Sequence, residues 1–306
     1  MKRMFIWGFI FLSLGLTLNF KEEILEMIIK KNKVSFEYKN KYYLDYNFNY
    51  VKSVDSFEIN NKKDLVNLYY TIINNGNTSF EFYCPNSYKS CISDIIYIAN
   101  NQYYLSDVNG FVHPFNSFDT IETTYDTFKR VKVNIIKTYT DVEIEKLNAK
   151  VEEIARDVVK DVTDKKEIIK IIHDYIINNS KYDQKRAENN IITYASNTAY
   201  GVLFEGYGIC GGYADAMALF LNYYKIPNYK ISSENHVWNA VYLDGEWYHL
   251  DLTWDDPLTD SNDNVILHDY FLITTDKLLE LDKTQHSFNT DIYSELKDKE
   301  EKEEKI

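Results

Sequence analysis

Four of the ten glycines in this 306-residue chain fall between residues 206 and 212, at Gly206, Gly208, Gly211 and Gly212, around Cys210. This density constrains the backbone strongly, because glycine reaches left-handed conformations and lets other main chain or a ligand approach closely. Tyr213 to Tyr224 follows with Ala214, Met217, Ala218, Leu221 and Tyr224 on one helical face, and Pro227 stops it. A tight turn therefore delivers Cys210 to the N-terminus of a helix. There the macrodipole and free N–H groups favour a thiolate, the nucleophilic form, and can hold a developing oxyanion. A cysteine that merely packs a turn is the plainer alternative, so its partners must decide.

Those partners come from a predicted hairpin. Val237 to Leu243 and Glu246 to Leu252 read as strands separated by Asp244-Gly245, a strong two-residue turn signal. That loop pairs Leu243 with Glu246, which sets His236 opposite Thr253 and Trp238 opposite Asp251. His236 and Asp251 then share one face as diagonal neighbours, roughly 7–8 Å apart at the backbone and within side-chain reach. A three-residue loop would put them on opposite faces. Cys210, His236 and Asp251 are the candidate catalytic residues: nucleophile, base, and the group that orients the base. His249 lies on the same predicted face and competes for the base role.

A formal charge of −13 and the lack of a basic stripe exclude nucleic-acid binding, which needs clustered Lys and Arg. With 45% hydrophobic residues and only four prolines, the chain holds enough apolar material for one large or two modest domains. Lys2 and Arg3 precede a weakly polar run from Met4 to Leu18, which reads as an export leader or an uncleaved membrane anchor. In an exported chain Cys84 and Cys91 suit a loop closed by a disulfide, with two free buried thiols as the alternative. Either way Cys210 is left over.

Between the leader and residue 126 the pattern is that of a small α/β unit. Leu65, Leu68, Tyr69 and Ile72 recur at helical spacing, and Ser79 to Tyr83 reads as a strand. Lys129 to Lys137 alternates Val131, Val133 and Ile135 with polar residues. Two amphipathic helices follow, opened by Thr140 with Glu143 and by Asp164 with Glu167 in capping-box spacing. His113 reads as a packed turn histidine and His173 as a satisfied structural one. Asp255, Asp256, Asp260 and Asp263 lack the EF-hand glycine and read as a solvated loop. The divisions expected are 1–20 leader or anchor, 21–126 N-terminal α/β domain, 127–290 catalytic domain, and 291–306 charged solvated tail.

Tyr207 to Ala218 (YGICGGYADAMA), His236 to Asn239 (HVWN) and Trp247 to Asp255 (WYHLDLTWD) resemble the transglutaminase-like superfamily. His173-Asp174-Tyr175, Tyr182-Asp183, Tyr200-Gly201 and His268 to Leu272 (HDYFL) are similar to stretches flanking the nucleophile and triad in bacterial surface members. The resemblance covers roughly residues 129–288. It implies an α/β (α+β) papain-like core, a cysteine-bearing helix on an antiparallel sheet with His and Asp, and amide chemistry with no cofactor and no metal. One position departs from the pattern: many relatives carry a longer polar side chain directly after the nucleophile, where this chain has Gly211.

The activity implied is thiol-dependent acyl transfer on amide bonds of a protein or peptide substrate at the cell surface. Hydrolysis, as in a cysteine peptidase, is preferred because bacterial relatives are often read as peptidases and no second-substrate signature is evident. Glutamine-directed cross-linking is the alternative, and a non-catalytic surface adhesion or scaffold protein of the same fold is the rival from another class.

Overall fold

In the computed structural model, Phe36 and residues 39–56, 58–257 and 265–297 are described. The leader run at 4–18, the tail beyond 297, and Asp260 and Asp263 lie outside them. Among the described residues no helix is long and apolar enough to cross a membrane.

The N-terminal unit begins with α1 (Lys62–Asn74), opened by a capping box of Asn61 and Asp64 and burying Leu65, Leu68, Tyr69 and Ile72 at the predicted spacing. After β1 (Ser79–Tyr83), a disulfide joins Cys84 to Cys91 at the start of α2 (Cys91–Asn100). Closing so short a loop contributes about 2–3 kcal/mol by restricting the unfolded chain. Beyond α3 (Gln102–Gly110), His113 caps a 3-10 turn, its Nδ1 accepting from the Phe115 N–H at 3.1 Å. Burial pushes this imidazole down to about 3, so it is the neutral turn histidine expected.

β2 (Phe118–Tyr125) and β3 (Arg130–Lys137) complete an antiparallel sheet of order β1–β3–β2. The alternation in β3 buries Val131, Val133 and Ile135 in the same core as α1. The division between 126 and 127 therefore falls inside the β2–β3 hairpin, and β3 is the central strand of the N-terminal sheet. Alternation identifies a strand, but it does not say which sheet the strand completes.

Two helices follow. α4 (Asp141–Ile154) carries the Thr140–Glu143 capping box, and in α5 (Lys165–Asn179) Asp164 accepts from the Glu167 N–H. Their buried stripes, Ile144, Leu147, Val151 and Ile154 and then Ile168, Ile172 and Ile176, meet α7 in a second core. A short parallel pair, β4 (Lys181–Tyr182) with β5 (Tyr207–Gly208), brackets α6 (Gln184–Asn189) and leads into α7 (Cys210–Tyr223).

The second sheet has order β6–β7–β8, from β6 (Asn228–Ser232), β7 (Val237–Leu243) and β8 (Glu246–Leu250), all antiparallel. Asp244 and Gly245 both take positive φ, 52° and 91°, so the turn is the two-residue type whose twist suits a hairpin, and Leu243 pairs with Glu246. The sheet is buried on both faces. Val241, Leu243 and Leu250 pack with α7, while Tyr229, Ile231, Trp238 and Ala240 join the N-terminal core. This is the expected α+β core, a Cys210-bearing helix on an antiparallel sheet.

Two short helices, α8 (Leu252–Asp255) and α9 (Thr275–Leu281), precede the C-terminal segment. The solvated tail expected from residue 291 is corrected here: Ser294–Leu296 forms a 3-10 turn, and Tyr293 and Leu296 are buried. The Tyr293 hydroxyl meets Ser232 Oγ at 2.9 Å and Asp107 Oδ1 at 3.2 Å. Two apolar anchors hold this segment, and the Lys and Glu around them mask the signal in the sequence.

Candidate active site

Cys210 is the first residue of α7, directly after Ile209 in extended conformation. The amides that open a helix have no partner within it, so the N–H groups at Cys210, Gly211 and Gly212 have no acceptor within α7. Gly212 is required sterically. A Cβ there would sit 2.3 Å from the Ser196 carbonyl oxygen, so only glycine lets the helix start this close to the 195–198 strap. Cys210 is half-buried and is the free thiol among the described residues.

His236 immediately precedes β7, and Asp251 immediately follows β8. The ladder stops at Asn239 paired with Leu250, and both residues sit beyond that end of the hairpin. There Asp251 turns to cap α8, its Oδ1 accepting from the N–H groups of Thr253 and Trp254 at 2.9 and 3.3 Å. Its Oδ2 accepts from His236 Nε2 at 2.5 Å. That leaves Nδ1 of His236 open towards Cys210, whose side chain helps to raise the imidazole. Trp238 stacks on the imidazole with ring centres 5.5 Å apart, which fixes its plane.

The electrostatics follow from this arrangement. Burial works against a charged His236, but the Asp251 carboxylate and hydrogen bonds with Asp251 and Cys210 outweigh it and raise the imidazole to about 10. Burial likewise works against a charged Asp251, yet His236 and His286 hold it well below the usual carboxylate range. Both groups are almost fully enclosed, 4% and 1% exposed, so the attraction between them is only weakly screened.

The structure thus pairs His236 with Asp251 and sets His249 apart. His249 Nδ1 accepts from Trp238 Nε1 at 2.9 Å, its Nε2 meets Thr275 Oγ1 at 3.0 Å, and burial pushes the ring down to about 3. Both its nitrogens are committed in the neutral form, a structural role. His173 is also buried, between Asp174 and Asp255.

Two neighbours are not singled out by sequence reasoning as site residues. His286 is fully buried, its Nε2 at 3.0 Å from Asp251 Oδ2 and its Nδ1 at 3.0 Å from Asp282 Oδ2. One carboxylate oxygen therefore faces two imidazoles. The ligand atoms of His236, Asp251 and His286 lie within 4.8 Å of one another, so this centre could also take a cation. No motif surrounds His286; the only hint is Asp282 four residues earlier. The pairing of β4 with β5 sets Tyr182 opposite Gly208, two residues before Cys210. Burial and then the Cys210 charge raise its phenol above the ordinary value, so it keeps its proton.

In comparison with known proteins, residues 152–252 match the family model of the transglutaminase-like superfamily. No curated protein matches the chain. Among solved structures, a TGase shares 14% identity at a TM-score of 0.33, covering 48% of this chain and 47% of that one. A candidate cysteine protease from Cytophaga hutchinsonii shares 14% identity at a TM-score of 0.28, covering 44% and 61%. A candidate protease from Parabacteroides distasonis shares 12% at 0.24, covering 44% and 39%. The chain spans about half the length of the solved structures it matches. The matched stretch, 152–252, holds Cys210, His236 and Asp251.

Proposed function

We propose that the protein is a thiol-dependent acyl-transfer enzyme that hydrolyses amide bonds of protein or peptide substrates. The observation that carries this reading is a free, half-buried thiol at the start of a helix, Cys210, which helps to raise a buried imidazole, His236, whose Nε2 is held on the buried Asp251 carboxylate at 2.5 Å. In the first half-reaction the Cys210 thiolate adds to the amide carbon, and His236 gives its proton to the departing amine as the C–N bond breaks. In the second, water adds to the thioester carbon, His236 takes the water's proton, and the C–S bond breaks to restore the thiolate. Asp251 keeps Nδ1 of His236 aimed at the sulfur throughout.

The oxyanion formed in each step needs donors. The helix-opening amides supply one set, and Tyr182, protonated and within the electrostatic reach of Cys210, supplies the side-chain donor that Gly211 cannot. Tyr182→Phe is expected to lower kcat by about tenfold to a hundredfold with little change in KM. An unchanged kcat would remove Tyr182 from the mechanism.

Hydrolysis and cross-linking share the first half-reaction and diverge at the thioester. A random peptide library incubated with a fluorescent primary alkylamine separates them: new N-termini without amine incorporation are expected, and incorporation without cleavage would make the enzyme a transferase. The leader run at 4–18 and the Cys84–Cys91 disulfide both support an exported location, since structural disulfides persist in oxidising compartments. Fractionating the producing cells before that assay tests location, and activity confined to the cytosol refutes export.

A further inference from the structure

A second cluster of histidine and carboxylate lies apart from the Cys210 centre and is made by different residues. Asp174 Oδ1 meets His173 Nδ1 at 2.9 Å and His268 Nε2 at 2.7 Å, and these three atoms lie within 4.8 Å of one another. His173 and Asp174 come from α5, whereas His268 comes from the segment between α8 and α9. We propose that His173, Asp174 and His268 form a binding site for a divalent transition-metal cation, with Zn²⁺ the best fit.

The chemistry of the donors supports this. Two imidazole nitrogens and one carboxylate oxygen are a ligand set suited to Zn²⁺, and three protein ligands leave a fourth position for water. The cluster grades from a fully enclosed His173 side chain through Asp174, 25% exposed, to His268, 37% exposed, so that position opens to solvent.

The supporting shell is that of a built site. His173 Nε2 faces Asp255 Oδ2 at 3.1 Å, both side chains fully buried, and Asp255 Oδ1 is held by the Tyr270 N–H at 3.0 Å. A carboxylate on the far nitrogen of a ligating histidine fixes its tautomer and raises its basicity. Lys170 Nζ holds Asp174 Oδ2 at 2.6 Å and leaves Oδ1 to the two histidines. Its positive charge opposes a cation, so affinity should be weaker than in thiolate sites. Phe271 stands edge-on to both rings, at 5.3 and 5.7 Å, as an apolar wall.

Hydrogen-bond accounting points the same way. A neutral imidazole has one N–H, yet His173 has a carboxylate at each nitrogen. One N–H cannot serve both Asp174 and Asp255, and a cation at Nδ1 would satisfy the second contact. The same cation would tie α5 to the His268 segment and, through Asp255, to α8, whose first residue follows the Asp251 cap. Its existence does not depend on the reaction proposed at Cys210.

The test uses the untagged full chain, stripped with a chelator and then dialysed against Zn²⁺ or Co²⁺ alone. One bound ion per chain is expected in the parent, with a Tm raised by about 5 °C when Zn²⁺ is a hundredfold above its Kd. The Co²⁺ form should show no sulfur-to-metal charge-transfer band, because Cys210 is not a ligand. His268→Ala and, separately, Asp174→Asn should lose the ion while their metal-free circular dichroism matches the parent. No binding, binding that survives in whichever variant folds, or a sulfur band that places the ion at Cys210 would each overturn the site.

Discussion

Cys210→Ala is expected to lower kcat/KM by at least about 10⁴-fold, because the reaction proposed for this site has no other nucleophile. The side chain is half-buried and its removal deletes one sulfur at a helix start, so the Tm should stay within about 2 °C of the parent. Intact-mass analysis after a brief exposure to substrate reads the step directly: the parent should carry an acyl adduct on the Cys210 peptide, and the variant none. Iodoacetamide adds a second readout, since a thiolate paired with imidazolium reacts well below pH 8 whereas an ordinary thiol does not. A variant that turns over at the parent's rate would mean that the nucleophile is elsewhere. Slow alkylation of the native parent would favour a scaffold without catalysis.

Asp251→Asn should cost about 10³- to 10⁴-fold in kcat/KM with the fold retained. Asparagine keeps an oxygen for the Thr253 and Trp254 amides, so the α8 cap survives, but it removes the charge that holds His236 protonated and aimed. The pH dependence gives the sign. His236 is raised from its ordinary 6.5 to about 10, so its contribution to stability is complete below about pH 6.5 and is lost as pH rises towards 10. Asp251 is lowered from 3.8, so its contribution is complete above about pH 4 and is lost as pH falls further. The pair therefore stabilises the fold most between about pH 4 and 6.5. Urea midpoints of parent and variant should differ most in that window and converge towards pH 10, and the alkaline limb of kcat/KM should move down from near 10 in the variant. An equal midpoint gap at pH 6 and pH 10 would show that charge is not what Asp251 supplies.

How much of this could be read from the sequence depended on the range of the interaction. The hairpin was legible because Asp244-Gly245 fixes its own register locally, and Leu243 does pair with Glu246. The parity argument that set His236 and Asp251 on one side followed from that register alone. The start of α7 was legible from the glycines: Gly206 takes a positive φ of 72°, and a Cβ would meet the Tyr213 ring at Gly208 and the Ser196 carbonyl oxygen at Gly212. The His249 alternative could not be settled from parity, since Asp251 leaves the strand to cap a helix while His249 stays in the ladder and bonds Thr275. The role of β3 in the N-terminal sheet, the buried Tyr293 and Leu296, and above all His286 were not legible. Each depends on contact between segments distant in sequence, and no period or spacing records such a contact.

His286 has a consequence for biogenesis. The sulfur, the imidazole and the carboxylate all leave the ribosome before the residue that braces that carboxylate, and before Tyr293, which fastens the last segment to Ser232 and Asp107. A nascent chain therefore carries the Cys210 thiol before the residues that brace Asp251 and fasten the last segment have been made.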